Sequence, residues 1–323
     1  MRGTHRLARW GGVLGTLVML WFVATPAGAF DPGLAGFSLQ ANGVTIPYHV
    51  FFLSVNPGER LEFAISDATY DQTYAARLDD EPLVSSQSNT WAWEAVPEPG
   101  QHQLIVAQPG SGDSMTVNIF VTVPRGNMEG DYLNGYRIGQ YPKIRYKGLP
   151  IYDPPSGFIE VTPENSDTPV SPHFTLGDFL CKQEDGFPKY IVLREELLLK
   201  LEYILQKANE AGVSCERFFV MSGFRTPYYN AAIGNVKYSR HQWGGAADIF
   251  VDENPVDGEM DDLNDDGRID WRDAAILYDI IDTLYENGEF DTLVGGLGRY
   301  KRTTNHGPFV HVDVRGFRAR WGE

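Results

Sequence analysis

Short segments of alternating apolar and polar residues follow one another through the first third of the chain. The segments are Thr45–Val55, Leu61–Ile65, Thr73–Leu78, Thr90–Val96, His102–Ala107 and Met115–Val123. Turn signals such as Asn56-Pro57-Gly58 separate them. Because alternation places every second side chain on one face of a strand, the pattern predicts β-structure. About seven strands in about ninety residues are typical of an antiparallel sandwich, so we expect an immunoglobulin-like domain over residues 30–124.

The hydrophobic spacing changes in the second half of the chain, where apolar residues recur as on one face of a helix. Leu193–Glu210 carries such a stripe, and Trp271–Tyr285 is a second predicted helix. The other predicted elements are a short helix at Phe174–Leu180 and strands at Phe218–Met221, Ala247–Val251 and Phe309–Val314. This mixture predicts an α+β domain over residues 166–323. Residues 125–165, rich in Gly, Pro and Tyr, are expected to form an ordered linker.

The first 29 residues have the pattern of a secretory signal peptide. Three arginines precede an apolar run at 11–23, and Ala27-Gly28-Ala29 supplies small residues for cleavage. The apolar run is shorter than the roughly 20 residues of a membrane span, although an uncleaved anchor is the alternative. We therefore expect an exported protein of the periplasm or cell envelope, with no membrane span after cleavage. In an exported chain, Cys181 and Cys215 form either a disulfide or two buried thiols.

The charge of the chain excludes one class of partner and indicates another. The formal net charge is −16, which argues against a general nucleic-acid binder, and 42% hydrophobic residues exclude a disordered chain. Basic residues are nevertheless concentrated, since residues 217–247 contain four and no acidic residue. Residues 299–320 contain six basic residues and a single acidic one. Basic surroundings in so acidic a chain favour an anionic substrate at these segments.

Two histidines and an aspartate in these basic segments are candidate metal ligands. His241 and Asp248 flank a Gly-Gly pair, and His311 lies on another predicted strand. Two imidazoles and one carboxylate, with a fourth position open, are the donor set of a catalytic zinc site. Asp313 follows His311 on the same face of its strand. The alternative is a set of buried polar groups that satisfy one another.

The motifs around these residues resemble those of the zinc D-Ala-D-Ala carboxypeptidase and murein endopeptidase family, which has the Hedgehog-like fold. The resemblance covers about residues 170–323 and rests on Ser-x-His-x-x-Gly-x-Ala-x-Asp at 239–248, Ser-Gly-Phe-Arg-Thr at 222–226 and Phe-Val-His-Val-Asp at 309–313. It implies that zinc is bound by His241, Asp248 and His311. It also implies that Arg225 binds substrate and stabilises the oxyanion, and Ser239 and Trp243 are further candidate substrate-binding residues.

The family resemblance implies an activity, namely hydrolysis of peptide bonds in peptidoglycan stem peptides by a D,D- or L,D-carboxypeptidase or endopeptidase. Many members place a Glu three residues, or a His two residues, before the last ligand as the general base. This chain has Pro308 and Phe309 at those positions. His306 is our first candidate for the base, and Asp313 is either the base or a group that orients His311. An inactive zinc-fold protein that binds peptidoglycan is therefore an alternative.

An acidic segment between the second and third ligands has the spacing of an EF-hand loop, as in dockerin repeats. Its candidate calcium ligands are Asp262, Asn264, Asp266, Arg268 through its carbonyl, Asp270 and Asp273. Gly267 and Ile269 occupy the positions at which the motif needs a sharp turn and an apolar residue. The alternative is a solvated acidic insertion. A third function is that of a calcium-dependent adhesion or assembly protein, in which the sandwich binds the cell wall or another protein and the loop binds calcium.

Overall fold

Strands dominate the computed structural model, which describes residues 30–66, 72–85 and 88–322. The predicted signal peptide at 1–29 lies outside the described residues. Helices are few, and none within these ranges combines the length and the apolar character needed to cross a membrane. The chain is therefore mostly β-sheet, with its few helices in the second half.

Two sheets form the sandwich that precedes residue 122. The strands are β1 (Leu34–Ala41), β2 (Val44–Tyr48), β3 (Val50–Val55), β4 (Arg60–Ile65), β5 (Ala75–Leu78), β6 (Glu81–Leu83), β7 (Thr90–Glu94), β8 (Gly100–Gln108) and β9 (Asp113–Val121). One sheet has the order β2-β1-β4-β7 and the other the order β3-β9-β8-β5-β6. Alternate residues such as Leu39, Phe63 and Val117 are buried between them, as expected for strands with one covered face.

The predicted strand Thr45–Val55 is in fact two strands that belong to different sheets. Only His49 separates β2 from β3, and β3 pairs in parallel with β9. Phe51, Phe52 and Leu53 are all buried, so the alternation of the sequence ends there. Side chains on both faces of β3 are buried because the strand Pro169–Ser171 packs against it.

Short elements fill the connection between the sandwich and the second half of the chain. The strands are β10 (Val123–Pro124), β11 (Tyr132–Leu133), β12 (Tyr136–Arg137), β13 (Gly157–Val161), β14 (Pro169–Ser171), β15 (Phe174–Thr175) and β16 (Lys189–Ile191). The 3-10 helices are Arg125–Asn127, Tyr146–Gly148, Pro150–Tyr152 and Leu176–Phe179. The last of these lies within the predicted helix Phe174–Leu180, which is shorter than expected because its first residues pair as β15.

A five-stranded sheet with flanking helices forms the second half of the chain. Its strands are β17 (Phe218–Ser222), β18 (Ala246–Val251), β19 (Gly296–Tyr300), β20 (Phe309–Asp313) and β21 (Ala319–Trp321), in the order β17-β18-β20-β19-β21. The helices are α1 (Glu195–Glu210), α2 (Pro227–Ala232), α3 (Trp271–Glu286) and a 3-10 turn at Arg240–Trp243. Helix α3 packs against β19 and β20. This arrangement places β18 and β20 side by side in the interior of the sheet.

Polar contacts join the sandwich to the second half of the chain. Asn118 of β9 donates its side-chain amide to the Pro169 carbonyl over 2.8 Å. The backbone N–H of Ser54 donates to Glu195 Oε1 at the start of α1 over 3.1 Å. The buried apolar residues also form one continuous cluster through both halves. The sandwich is therefore packed against the second half of the chain.

Candidate metal centre

Strand register brings two of the candidate ligands together. Asp248 on β18 pairs with His311 on β20, and on its other side it pairs with Ser222 of β17. His241 reaches the same point from the 3-10 turn that precedes β18. Gly244 ends this turn with φ of 63°, and an added Cβ would lie 2.2 Å from the Val192 carbonyl oxygen. Only glycine fits there, because the position needs both a left-handed backbone and close backbone approach.

His241, Asp248 and His311 form a buried cluster with a common centre. His241 Nε2 lies 3.2 Å from His311 Nδ1 and 3.3 Å from Asp248 Oδ1, and His311 Nδ1 lies 2.8 Å from the same Asp248 oxygen. The three residues are 2%, 3% and 6% exposed in the order of their numbers. Within the described part of the chain, no other group of three or more His, Cys, Asp or Glu converges in this way.

Hydrogen bonds on the far side of each ring orient the two imidazoles. His241 Nδ1 donates to the Gly223 carbonyl over 2.7 Å, and His311 Nε2 donates to Asp313 Oδ2 over 3.1 Å. These hydrogen bonds assign the ring protons to His241 Nδ1 and His311 Nε2. His241 Nε2 and His311 Nδ1 therefore have lone pairs that face Asp248. Lone pairs that converge in a buried site repel one another unless a proton or a cation lies between them.

The charges around the cluster shift the pKa values of its members in different directions. Burial opposes ionisation of Asp248, but His241 and His311 outweigh burial and hold the pKa of this carboxyl well below its ordinary value. Burial lowers the pKa of His241. Burial also disfavours the charged form of His311, but hydrogen bonds to Asp248 and Asp313 prevail and raise its pKa. The cluster is thus built around an ionised carboxylate that attracts positive charge.

Arg225 lies at the edge of the cluster. Its Nη2 donates to Asp248 Oδ2, and its Nε donates to Ser222 Oγ over 2.8 Å. The bond to Oδ2 leaves Asp248 Oδ1 to face the two histidines. Arg225 therefore orients the carboxylate in addition to presenting its remaining N–H groups beside the cluster.

The contacts of Asp313 are those of a group that orients His311, not those of a general base. It is fully buried and accepts hydrogen bonds from the Gly296 N–H over 2.8 Å and from Arg315 Nε over 2.8 Å, besides that from His311. Burial raises the pKa of a carboxyl, but the contacts of Asp313 with His311 and Arg315 hold its pKa far below the ordinary value. A carboxylate so strongly paired is a poor proton acceptor.

The other predicted site residues have different surroundings. His306 Nδ1 donates to the Gly307 carbonyl over 2.7 Å, and its ring packs edge-on against Phe309. Within the described residues it makes no hydrogen bond to the cluster. Ser239 is 8% exposed and immediately precedes the 3-10 turn. Trp243 is 2% exposed and donates its indole N–H to the Asp153 carbonyl over 2.9 Å, so the structure does not favour the predicted substrate contact of this ring.

The predicted calcium loop is closed by hydrogen bonds from its own backbone. Asp262 accepts from the N–H groups of residues 266 and 267, Asn264 from that of 266, and Asp273 from those of 263 and 270. Asp270 caps α3 by accepting from the N–H of residue 272. The loop carboxylates do not form a convergent metal-binding group like that of the histidine cluster. The structure therefore confirms the turn and the helix that leaves it, and the carboxylates of the loop do not converge on one point.

Sequence reasoning missed two groups that orient the ligands. The Gly223 carbonyl fixes the tautomer of His241, and a backbone carbonyl leaves no trace in a sequence. Arg315 pairs with Asp313 from just beyond the end of β20, and a basic residue only two positions further along the chain is a signal that could have suggested it. Cys181 and Cys215 are both buried free thiols in the structure, which answers the alternative left open above.

Comparisons with known proteins concern only a small part of the chain. No protein-family model matches it, and no curated protein does. Among solved structures, it is similar to fibronectin(III)-like modules of Clostridium thermocellum CbhA, with 15% identity, a TM-score of 0.18, and coverage of 26% of this chain and 94% of that chain. It is also similar to the titin M3 domain, with 11% identity, a TM-score of 0.17, and coverage of 26% of this chain and 97% of that chain. These similarities carry no argument about function.

Proposed function

We propose that the chain is an exported zinc metallopeptidase that hydrolyses peptide bonds in peptidoglycan stem peptides, as a D,D- or L,D-carboxypeptidase or endopeptidase. The single observation that carries the proposal is the buried convergence of His241, Asp248 and His311. The resemblance of the surrounding motifs to the Hedgehog-like zinc peptidases, in the same order along residues 170–323, supplies the reaction and substrate class.

The donor set fits zinc in number, chemistry and spacing. Ligand atoms about 2.0–2.1 Å from a tetrahedral zinc ion lie about 3.3 Å from one another. The separations of 3.2 Å and 3.3 Å from His241 Nε2 agree with this, while the His311–Asp248 separation of 2.8 Å is shorter. Two imidazole lone pairs and one carboxylate oxygen would hold the ion. Zinc in such a site supplies Lewis acidity for peptide hydrolysis.

The residues of the chain have separate parts in the proposed reaction. Arg225 holds Asp248 in place, and its remaining N–H groups stabilise negative charge that develops on the substrate carbonyl. Asp313 and the Gly223 carbonyl hold the two imidazoles in the tautomers that bind metal. His306 bonds the Gly307 carbonyl through Nδ1, which leaves Nε2 as the atom that accepts the proton of the attacking water.

Digestion of cross-linked murein sacculi by the mature protein tests the proposal. Wild type, His241→Ala and the control His49→Ala are compared with and without chelation of zinc, and the products are read by mass spectrometry. His49 is a matched control because it lies on the sandwich, away from the cluster. New muropeptides from wild type and His49→Ala, absent with His241→Ala and on chelation, are expected. No products from zinc-loaded wild type would contradict a murein peptidase.

A zinc-fold protein that binds peptidoglycan without cleaving it is the second candidate. It is favoured by the surroundings of His306, whose hydrogen bond goes to Gly307 and not to the cluster. Sedimentation with sacculi separates the two candidates. An inactive binder sediments with sacculi and releases no fragments, whereas a peptidase with His306 as its base loses most of its turnover, about 10²-fold or more, in His306→Ala.

We also propose that the loop at 262–273 binds calcium and clamps the segment between β18 and α3. The proposal is supported by the oxygen-bearing residues at EF-hand spacing and by the closed turn in which Asp262 accepts two backbone N–H groups. An exported protein meets abundant calcium, so a weak site would remain filled. Calcium titration of wild type and Asp262→Ala by calorimetry tests this site, and equal heats from both would contradict it.

A further inference from the structure

A cavity of about 540 Å³ lies along β17. Leu180, Phe219 and Met221 contribute an apolar part to its lining, and Lys182 stands beside them. The strand ends at Ser222, which pairs with Asp248 and accepts the hydrogen bond of Arg225. Met221, which lines the cavity, therefore directly precedes in the chain the residue that contacts the edge of the histidine cluster.

The charges that line this cavity are compensated with one exception. Arg217 donates to Asp178 over 2.6 Å. Asp252 accepts from two backbone N–H groups, those of residues 257 and 258, over 2.9 and 3.0 Å. Lys182, in contrast, is exposed and has no hydrogen bond or ion pair to any described residue. Its ammonium group is thus the free positive charge of the cavity.

The segment that carries Lys182 lies beside the segment that carries Arg225, since the Phe224 N–H donates to the Phe179 carbonyl over 2.9 Å and the Thr226 hydroxyl donates to Gln183 Oε1 over 2.8 Å. Partial desolvation by the surrounding protein lowers the pKa of Lys182, and the positive charge of Arg225 lowers it further, whereas Asp248 acts in the opposite direction. Arg225 uses Nε and Nη2 for Ser222 and Asp248, and its Nη1 makes no hydrogen bond within the described residues. Two neighbouring cations with unused donors repel each other, and one carboxylate placed between them would relieve that repulsion.

We propose that Lys182 is a substrate-binding residue that, together with Nη1 of Arg225, binds a free carboxylate of the peptide close to the bond that is cut. The side chain that accompanies this carboxylate enters the apolar part of the cavity beside Met221. This inference rests on the proposed function and narrows its substrate class to peptides with an acidic group at that position. Lys182 acts on substrate affinity and charge preference, not on the chemical step.

Binding of one peptide in two charge states tests this role independently of turnover. The probe is a stem peptide that ends in D-Ala-D-Ala, with the cleavable amide replaced by an uncleavable methylene-amine, prepared as the free acid and as the C-terminal amide. Calorimetry measures its affinity for zinc-loaded wild type, Lys182→Met and the control Lys143→Met, an exposed lysine of the linker. The expected result is about tenfold weaker binding of the acid by Lys182→Met, with the amide unaffected and the control unchanged.

Kinetics with the cleavable acid and amide complete the experiment. Lys182→Met is expected to raise KM for the acid about tenfold with kcat nearly unchanged, since it removes binding that the ground state and transition state share. Charge-dependent binding without hydrolysis would overturn the proposed peptidase activity and leave the role of Lys182 standing. If the protein hydrolyses the peptide but Lys182→Met loses equal affinity for the acid and the amide, or loses none, the role of Lys182 would be overturned. Failure of wild type to bind the acid would also overturn this role.

Discussion

Replacement of Lys200 by methionine is expected to remove a pH dependence of stability that the wild-type protein shows above neutral pH. Lys200 lies in α1 and is fully buried. Its ammonium donates to the Asp313 carbonyl over 2.8 Å and to the Leu293 carbonyl over 3.0 Å, and it also bonds the Tyr285 hydroxyl. These acceptors are neutral, so they only partly replace the water that the charge loses on folding.

The size of the effect follows from the shift of one pKa. Burial lowers the pKa of Lys200 from 10.5 to about 7 in the folded protein. Between these values the unfolded chain holds a proton that the folded protein has released, so stability rises with pH. At about 1.4 kcal/mol for each pKa unit, and with the slope fully developed only above the folded pKa, the free energy of unfolding should gain about 2 kcal/mol between about pH 7 and pH 9. Below about pH 7 both states carry the charge, and this contribution to the pH dependence disappears.

Urea denaturation followed by tryptophan fluorescence measures this effect at a series of pH values. The free energy of unfolding of Lys200→Met is subtracted from that of wild type, so that the titration of the other groups cancels. This difference should increase as the pH rises. Lys207→Met is the control, because Lys207 lies on the same helix with its ammonium bonded to Glu210 over 2.8 Å near the surface. Parallel curves for wild type and Lys200→Met would refute the reasoning.

Three further predictions concern the metal centre and the calcium loop. Asp313→Asn should weaken zinc binding about 10- to 100-fold, because His311 loses the partner that fixes its tautomer. Competition with a chelator measures the affinity, and an unchanged affinity would contradict the orienting role of Asp313. Gly244→Ala should lower the free energy of unfolding by about 1–3 kcal/mol in chemical denaturation, because of its left-handed backbone and the nearby Val192 carbonyl; a neutral result would argue against this turn. Calcium at about 100 times its Kd should stabilise the protein by about 2.7 kcal/mol, and equal melting temperatures with calcium and with chelator would contradict binding.

Local pattern was sufficient to place the two long helices, α1 and α3, and the strands named in the sequence analysis, but it missed α2 and strands such as β1, β19 and β21. Helix α1 begins at Glu195, two residues after the predicted start, and β20 ends at Asp313, one residue before the predicted end. Periodicity is a property of neighbouring residues, so a single sequence contains it. The division of Thr45–Val55 between two sheets was not predictable in this way, because it depends on a strand from elsewhere in the chain that covers β3.

The sequence by itself determined which residue types are present for the proposed chemistry and in what order, including the glycines that turn the chain before β18. The tertiary structure alone decided which atoms face one another. Asp248 and His311 meet because β18 and β20 are paired in one register, and the Gly223 carbonyl and Asp313 select the nitrogen that each imidazole presents. Tertiary packing likewise buried Trp243 against the linker. Register and packing join residues far apart in the chain, and no local pattern records such contacts.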